Sequence, residues 1–149
     1  MKTLINNILK TNSSISPLVL RAPIGLVLAA HGAQKLFAWF GGYGLEGTGQ
    51  YMASLGLNPG YLMALLAGSA EFFGGLALVL GVLTRPAAAL TAFTMLIAIF
   101  TAHIGNGLFL SNDGYEYALV LLVATLSLLI TGGGRFSIDK LIVGNSAKA

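Results

Sequence analysis

The sequence predicts an all-α membrane protein: a four-transmembrane-helix bundle with both termini cytoplasmic. Three observations carry this. Four apolar runs approach the roughly 20 residues a helix needs to cross a hydrocarbon layer ~30 Å thick. Only 9% of the 149 residues are charged, against about 25% in soluble domains, and mean hydropathy is +0.83. The runs show no strict alternation, so helices satisfy their backbone groups in lipid more readily than barrel strands would.

Taken in order, residues 1–16 form an N-terminal cytoplasmic or interfacial segment. Its Leu4, Ile5, Ile8 and Leu9 fall at helical spacing, suited to lying along the inner interface. Residues 17–134 make the transmembrane domain, with spans over about 18–40, 61–83, 86–104 and 115–131. Arg21 and Pro23 interrupt the first run, which disfavours reading it as a cleaved signal peptide. The loop over 41–60 is glycine-rich, and Gly42, Gly44 and Gly47 match a GxGxxG string. A dinucleotide fingerprint follows a strand, whereas this string follows a span, so turns and a short interfacial helix from near Thr48 are expected. Trp39, Phe40, Tyr43 and Tyr51 suit an outer aromatic belt. Pro86 opens the third span, where its missing N–H costs nothing. Gly132, Gly133 and Gly134 stop the fourth, leaving 135–149 as a C-terminal cytoplasmic tail.

Orientation follows from the basic residues. Lys2, Lys10 and Arg21 precede or open the first span, Arg85 links the second and third, and Arg135, Lys140 and Lys148 follow the fourth. The loops over 41–60 and 105–114 hold no Lys or Arg, but do hold Glu46 and Asp113. Positive-inside placement therefore puts both termini and Arg85 of a multi-pass protein in the cytoplasm. The net charge of +3 and pI of 9.4 do not indicate nucleic acid, because the cations flank spans instead of forming a patch with aromatics. With no cysteine, disulfides, thiol catalysis and thiolate-held metal clusters are excluded.

His31, Gln34 and Lys35 lie inside the first span at spacings that share one helix face. An ionisable group at that depth costs on the order of 3 kcal/mol, so the patch calls for a partner or a task. Glu71, the one charge of the second span, shares its face with Ala64, Ala67, Gly68, Gly74 and Gly75, a face suited to close packing. At ~1.5 Å per residue, Glu71 lies roughly 15 Å below the outer surface, near the depth of His31. His103, Asn106 and Glu116 fall near the outer ends of spans three and four, beside Tyr115 and Tyr117. Ala22, Gly25, Ala29 and Gly32 form a second, small-residue face on span one, so helices of this chain or another copy are expected on both sides.

Packing alone is one account of these residues, with Lys35 paired to Glu71 or Glu116. Interhelical polar contacts return only about 0.6 kcal/mol on average, which favours a functional pocket. No nucleophile, base and orienting acid align. Two histidines with carboxylates are few ligands for a closed metal site, so no metal is expected. A bis-histidine haem between His31 and His103 is disfavoured by their offset of roughly 10 Å. Hydrogen bonding and proton exchange remain, and a quinone head group suits them: His31, Gln34 and Lys35 to bind and orient, Glu71 to exchange protons.

Several strings in order resemble the DoxX family of small four-helix bacterial membrane proteins. These are His31-Gly32-Ala33-Gln34-Lys35-Leu36-Phe37, Gly41-Gly42 with Gly47-Thr48, and Ala70-Glu71-Phe72-Phe73-Gly74-Gly75. Leu80-Gly81-Val82-Leu83-Thr84-Arg85, His103 with Asn106-Gly107, and Gly114-Tyr115-Glu116-Tyr117 follow. Leu108 stands where an aromatic is expected. The resemblance implies four spans and a link to redox biology, since members resemble the membrane subunit of thiosulfate:quinone oxidoreductase.

The expected function is a quinone-linked redox component, without covalent cofactor, acting with a partner oxidoreductase subunit. Glu71 and His31 are its candidate catalytic residues; Gln34, Lys35, His103, Asn106 and Glu116 are its candidate ligand-binding residues. Two alternatives stand: a non-catalytic anchor or scaffold docking through the small face of span one, and a small-solute or proton transporter. Contact with the lipid bilayer follows from either, and a homo-oligomer stays open.

Overall fold

The computed structural model describes residues 8–146, all helices and turns with no strand among them. Leu4 and Ile5 of the expected interfacial segment, with Lys2 and Lys148, lie outside the described residues. The first helix, α1 (Ser16–Phe37), carries Pro17 in its first turn, where no N–H is needed. It ends where Ala38 and then Phe40 take left-handed backbone conformations, φ 58° and 53°. That reversal is costly for non-glycine residues. It folds the chain back so that Gly42 lies directly on the backbone of Gln34, with no room for a side chain.

Helix α2 (Gly44–Ser54) begins four residues before the expected start at Thr48. Glycines at 44, 47 and 49 disfavour a helix intrinsically, so packing supplies the reason. Gly49 presses on the start of α3 (Gly60–Leu80), where an added β-carbon would lie 3.0 Å from the α-carbon of Tyr61. Gly81, at φ 68°, closes α3: Val82 donates to the Ala77 carbonyl and Gly81 to that of Leu78.

Helix α4 (Thr84–Ala98) does not stop cleanly but widens into a π turn at Ile99–His103 and then a 3-10 turn at Ile104–Asn106. After the turn Leu110–Asn112, α5 (Glu116–Thr131) returns, and α6 (Ile138–Ser146) follows. Among the described residues, three helical stretches are long and apolar enough to cross a membrane: Ser16–Phe37, Gly60–Leu80 and Thr84–Asn106. Glu116–Thr131 is apolar but shorter, about 24 Å at the usual rise per residue.

The α1–α3 seam is packed backbone against backbone. A β-carbon on Gly75 would stand 2.5 Å from the Ala29 nitrogen, and one on Gly25 would stand 2.6 Å from the Gly75 oxygen. The small-residue face of span one is therefore consumed inside the chain, which removes the docking surface the scaffold alternative relied on. Leu28, Leu78, Met95, Ile99, Leu121 and Leu128 fill the space between α1, α3, α4 and α5. Around the perimeter, Val19, Leu26, Phe73, Phe93, Phe100, Val120 and Ile130 are all exposed. Water does not tolerate an apolar girdle of that extent; lipid does.

Arg21 holds together the end of the bundle where α3 ends and α6 begins. Only 1% exposed, its guanidinium donates to the carbonyls of Gly133 (2.9 Å), Phe136 (2.6 Å), Leu78 (2.9 Å) and Val79. Asp139 accepts from the backbone N–H groups of Leu83 (2.7 Å) and Thr84 (2.9 Å), capping α4. Arg85 bonds the carbonyls of Lys10 and Ile130. The segment from residue 135 is thus built into the bundle through Ser137 and Asp139, both buried, whereas the sequence reads there as a tail.

Candidate functional site

Lys35, one turn from the end of α1, reaches α3 and sets its Nζ 2.5 Å from Oε2 of Glu71. Glu71 is 4% exposed at its side chain and Lys35 25%, so the carboxylate is enclosed and the ammonium guards it. Gly68, one turn before Glu71, makes this reach feasible, since the Lys35 stem lies across it. A buried carboxylate is tolerated where a cation pairs with it.

On the next turn of α1, His31 meets Tyr117 of α5. Their Nε2 and Oη atoms are 3.4 Å apart, with ring centroids at 5.8 Å and planes tilted by 59°. That is a long contact, leaving both polar atoms capacity for another partner. His103 comes from α4. In an unbroken α-helix it would stand about 140° round from Ala98. The wider π turn reduces that swing, and π turns recur at functional sites for this kind of repositioning. Its Nδ1 lies 2.7 Å from the Asp113 carbonyl, which fixes the ring.

These side chains converge. His31, Lys35, Glu71, His103 and Tyr117 line one cavity of about 390 Å³, whose remaining wall is mostly apolar. Leu28, Met95, Ala118 and Leu121 contribute to that wall, and Thr48, Tyr51 and Met52 line it from α2. A few convergent polar groups in an apolar hollow of this size is the usual make-up of a small-molecule site.

The other expected site residues stand apart from it. Gln34 donates to the Phe40 carbonyl at 3.3 Å and lines a separate cleft with Lys35. The patch expected on α1 therefore serves two spaces: His31 lines the cavity, Gln34 the cleft and Lys35 both. Glu116 accepts from the Leu110 N–H at 2.5 Å, pinning the loop before α5. The Asn106 amide lies 3.4 Å from the carbonyls of both Ala102 and Asp113, bracing the loop that also holds His103. Conversely, Tyr117, Thr94 and Thr101 line the cavity but were not among the candidate residues. Tyr117 had a visible indication in its place beside Glu116; the threonines had none.

Comparison with known proteins agrees with this picture of a membrane chain. The family model described as DoxX matches residues 16–104. The chain is 31% identical over 128 residues to "Putative oxidoreductase CatD" of Bacillus subtilis, covering 86% of this chain and 87% of that protein. It is 40% identical over 105 residues to inner membrane protein YqjF of Escherichia coli, covering 66% and 75%. Inner membrane protein YphA of the same organism is 33% identical over 126 residues, covering 79% and 90%. No solved structure matches the chain significantly.

Proposed function

The chain belongs to the DoxX family, and from that premise we propose that its cavity binds the head group of a membrane quinone for a partner oxidoreductase. One observation carries the reading: His31, Tyr117, His103 and the Lys35–Glu71 pair, drawn from four helical segments, meet in a single apolar hollow. About 390 Å³ accommodates a substituted six-membered ring. Its donors suit carbonyl oxygens, and its one buried carboxylate suits a proton. A quinone, when bound, supplies a carrier of two electrons and two protons.

The chain's own residues then divide the work. Leu28, Met95 and Leu121 exclude water and press on a flat ring. His31 and Tyr117 orient one edge of the ligand by hydrogen bonds, and His103 stands on the α4 side. Glu71 takes or returns a proton, with the Lys35 ammonium hydrogen-bonded to it. With no cysteine, the chain has no thiolate-held electron carrier, so electrons come from a partner protein. The printed oxidoreductase name of the Bacillus subtilis relative supports that reading.

In the membrane, α1, α3, α4 and α5 form four spans, the shorter α5 being extended at its outer end by the Leu110–Asn112 turn. The Arg21, Arg85 and Arg135 end faces the cytoplasm, and the cavity lies in the outer half. The inner membrane is the location, as the names of the two Escherichia coli relatives suggest.

Titration of the purified protein with a short-chain quinone analogue tests the reading. Saturable binding that weakens about tenfold or more in Glu71→Gln and His31→Ala is expected. Absence of binding, or equal binding by both variants, overturns it.

A further inference from the structure

A second hollow, of about 480 Å³, lies on the outer side of the site and has no part in the function proposed above. Its walls come from the end of α1, the reversal after it and α2, with Gln34, Gly42, Tyr43 and Gly47 among them. Three residues line both this cleft and the inner cavity: Lys35, Thr48 and Tyr51. They are a common partition. Glu71 lines only the inner cavity, and the Nζ of Lys35 bonded to it belongs to a side chain that reaches both spaces.

We infer that the cleft is an aqueous antechamber through which the buried Lys35–Glu71 pair exchanges protons with the outer side. The reasoning is geometric. Glycines at 41, 42 and 47 keep side chains out of the cleft, and Gln34 and Lys35 give it a polar wall. Most of the inner cavity's wall is apolar, and Glu71 lies within it behind Lys35. A proton leaving Glu71 toward the cleft therefore meets Lys35 first.

The transfer balances. A proton released by a ligand in the cavity passes to the Glu71 carboxylate. The Lys35 ammonium gives one of its protons to cleft water and takes the proton now held by Glu71. Both side chains return to their starting charges, and one proton has moved from cavity to cleft. This rests on the ligand-binding reading for the source of the proton, but not for the water route.

The absence of cysteine makes the route testable. Tyr43→Cys, on an exposed rim position, and Gln34→Cys, on the facing wall, place single thiols in the cleft of the full chain in lipid nanodiscs. With ¹⁵N-lysine labelling, exchange of the Lys35 ammonium with water is followed by NMR, its signal assigned by loss in Lys35→Arg. Exchange is expected in the unlabelled protein. It should slow by about tenfold or more when either thiol carries a bulky maleimide, while Lys140 is unaffected. Unchanged Lys35 exchange with both positions fully blocked overturns the inference. So does labelling of Cys-substituted Tyr43 by a membrane-impermeant maleimide only in inverted vesicles. A protein that binds no quinone analogue yet shows maleimide-sensitive Lys35 exchange keeps the antechamber and refutes the quinone.

Discussion

Gly68 lies against Lys35: a β-carbon placed on the glycine would stand 3.1 Å from that of the lysine and 2.9 Å from Leu36 Cδ2. The ion pair of the site therefore depends on a residue that carries no charge. Close packing of α1 and α3 comes first, and the chemistry at its outer end follows from it.

The Lys35–Glu71 pair should show strong non-additivity. Lys35→Met leaves a carboxylate 4% exposed without its cation and should cost about 2–4 kcal/mol, toward the range for breaking buried pairs. Glu71→Gln should cost less, roughly 1 kcal/mol, because the lysine retains access to the cleft. The double variant should recover most of the loss in thermal unfolding of the detergent-solubilised protein. Additive losses would show that the two side chains act separately.

At the helix seam, Gly32→Ala sets a new β-carbon 2.7 Å from the Gly68 oxygen and 2.6 Å from the Phe72 α-carbon, both backbone atoms. A loss of about 2–3 kcal/mol is expected, with falling melting temperature and yield. Gly105→Ala is the control, having nothing within 4 Å and ordinary backbone geometry; its melting temperature should be unchanged.

Arg21→Lys retains a positive charge but loses the planar fork that reaches four carbonyls. Roughly 3 kcal/mol or more should be lost, as for a broken buried network. Limited proteolysis should then cut between residues 134 and 143, where the parent protein is expected to resist cleavage because Ser137 and Asp139 are buried. Survival of that protection would show that Arg21 is not what holds the final helix in place.

Tyr117→Phe removes a hydroxyl whose contact with His31 is long, 3.4 Å. Stability should change by less than about 0.5 kcal/mol, whereas quinone-analogue affinity should fall several-fold. A change in stability without a change in affinity would make the hydroxyl a packing group.

Much of this architecture is legible in the sequence because lipid imposes simple requirements. Long apolar runs, the glycine-lined face around Glu71 and the depth of His31 all follow from helical periodicity. That Lys35 needs an acidic partner follows too, since a charge at that depth calls for its complement; the sequence leaves Glu71 and Glu116 both open, and the structure gives Glu71. That Gln34 lines the cleft and not the cavity was not legible, for the cleft depends on Ala38 and Phe40 adopting a backbone conformation that neither residue type favours. Helix α2 ran against propensity, its glycines being retained for contact with α3. Arg21 reads as a flanking cation; its acceptors at Gly133 and Phe136 lie more than a hundred positions away. The placement of His103 turned on one wide helical turn, which no residue pattern announces.

The α1–α3 seam also decides which parts of the molecule are free to move. Backbones in direct contact cannot slide past one another without collision, so the helices bearing His31, Lys35 and Glu71 behave as a single rigid half. Helix α2 is tied to that half by the same kind of contact, Gly60 lying on the Gly49 carbonyl. Any opening of the cavity then falls to the irregular end of α4, moving against a fixed polar wall.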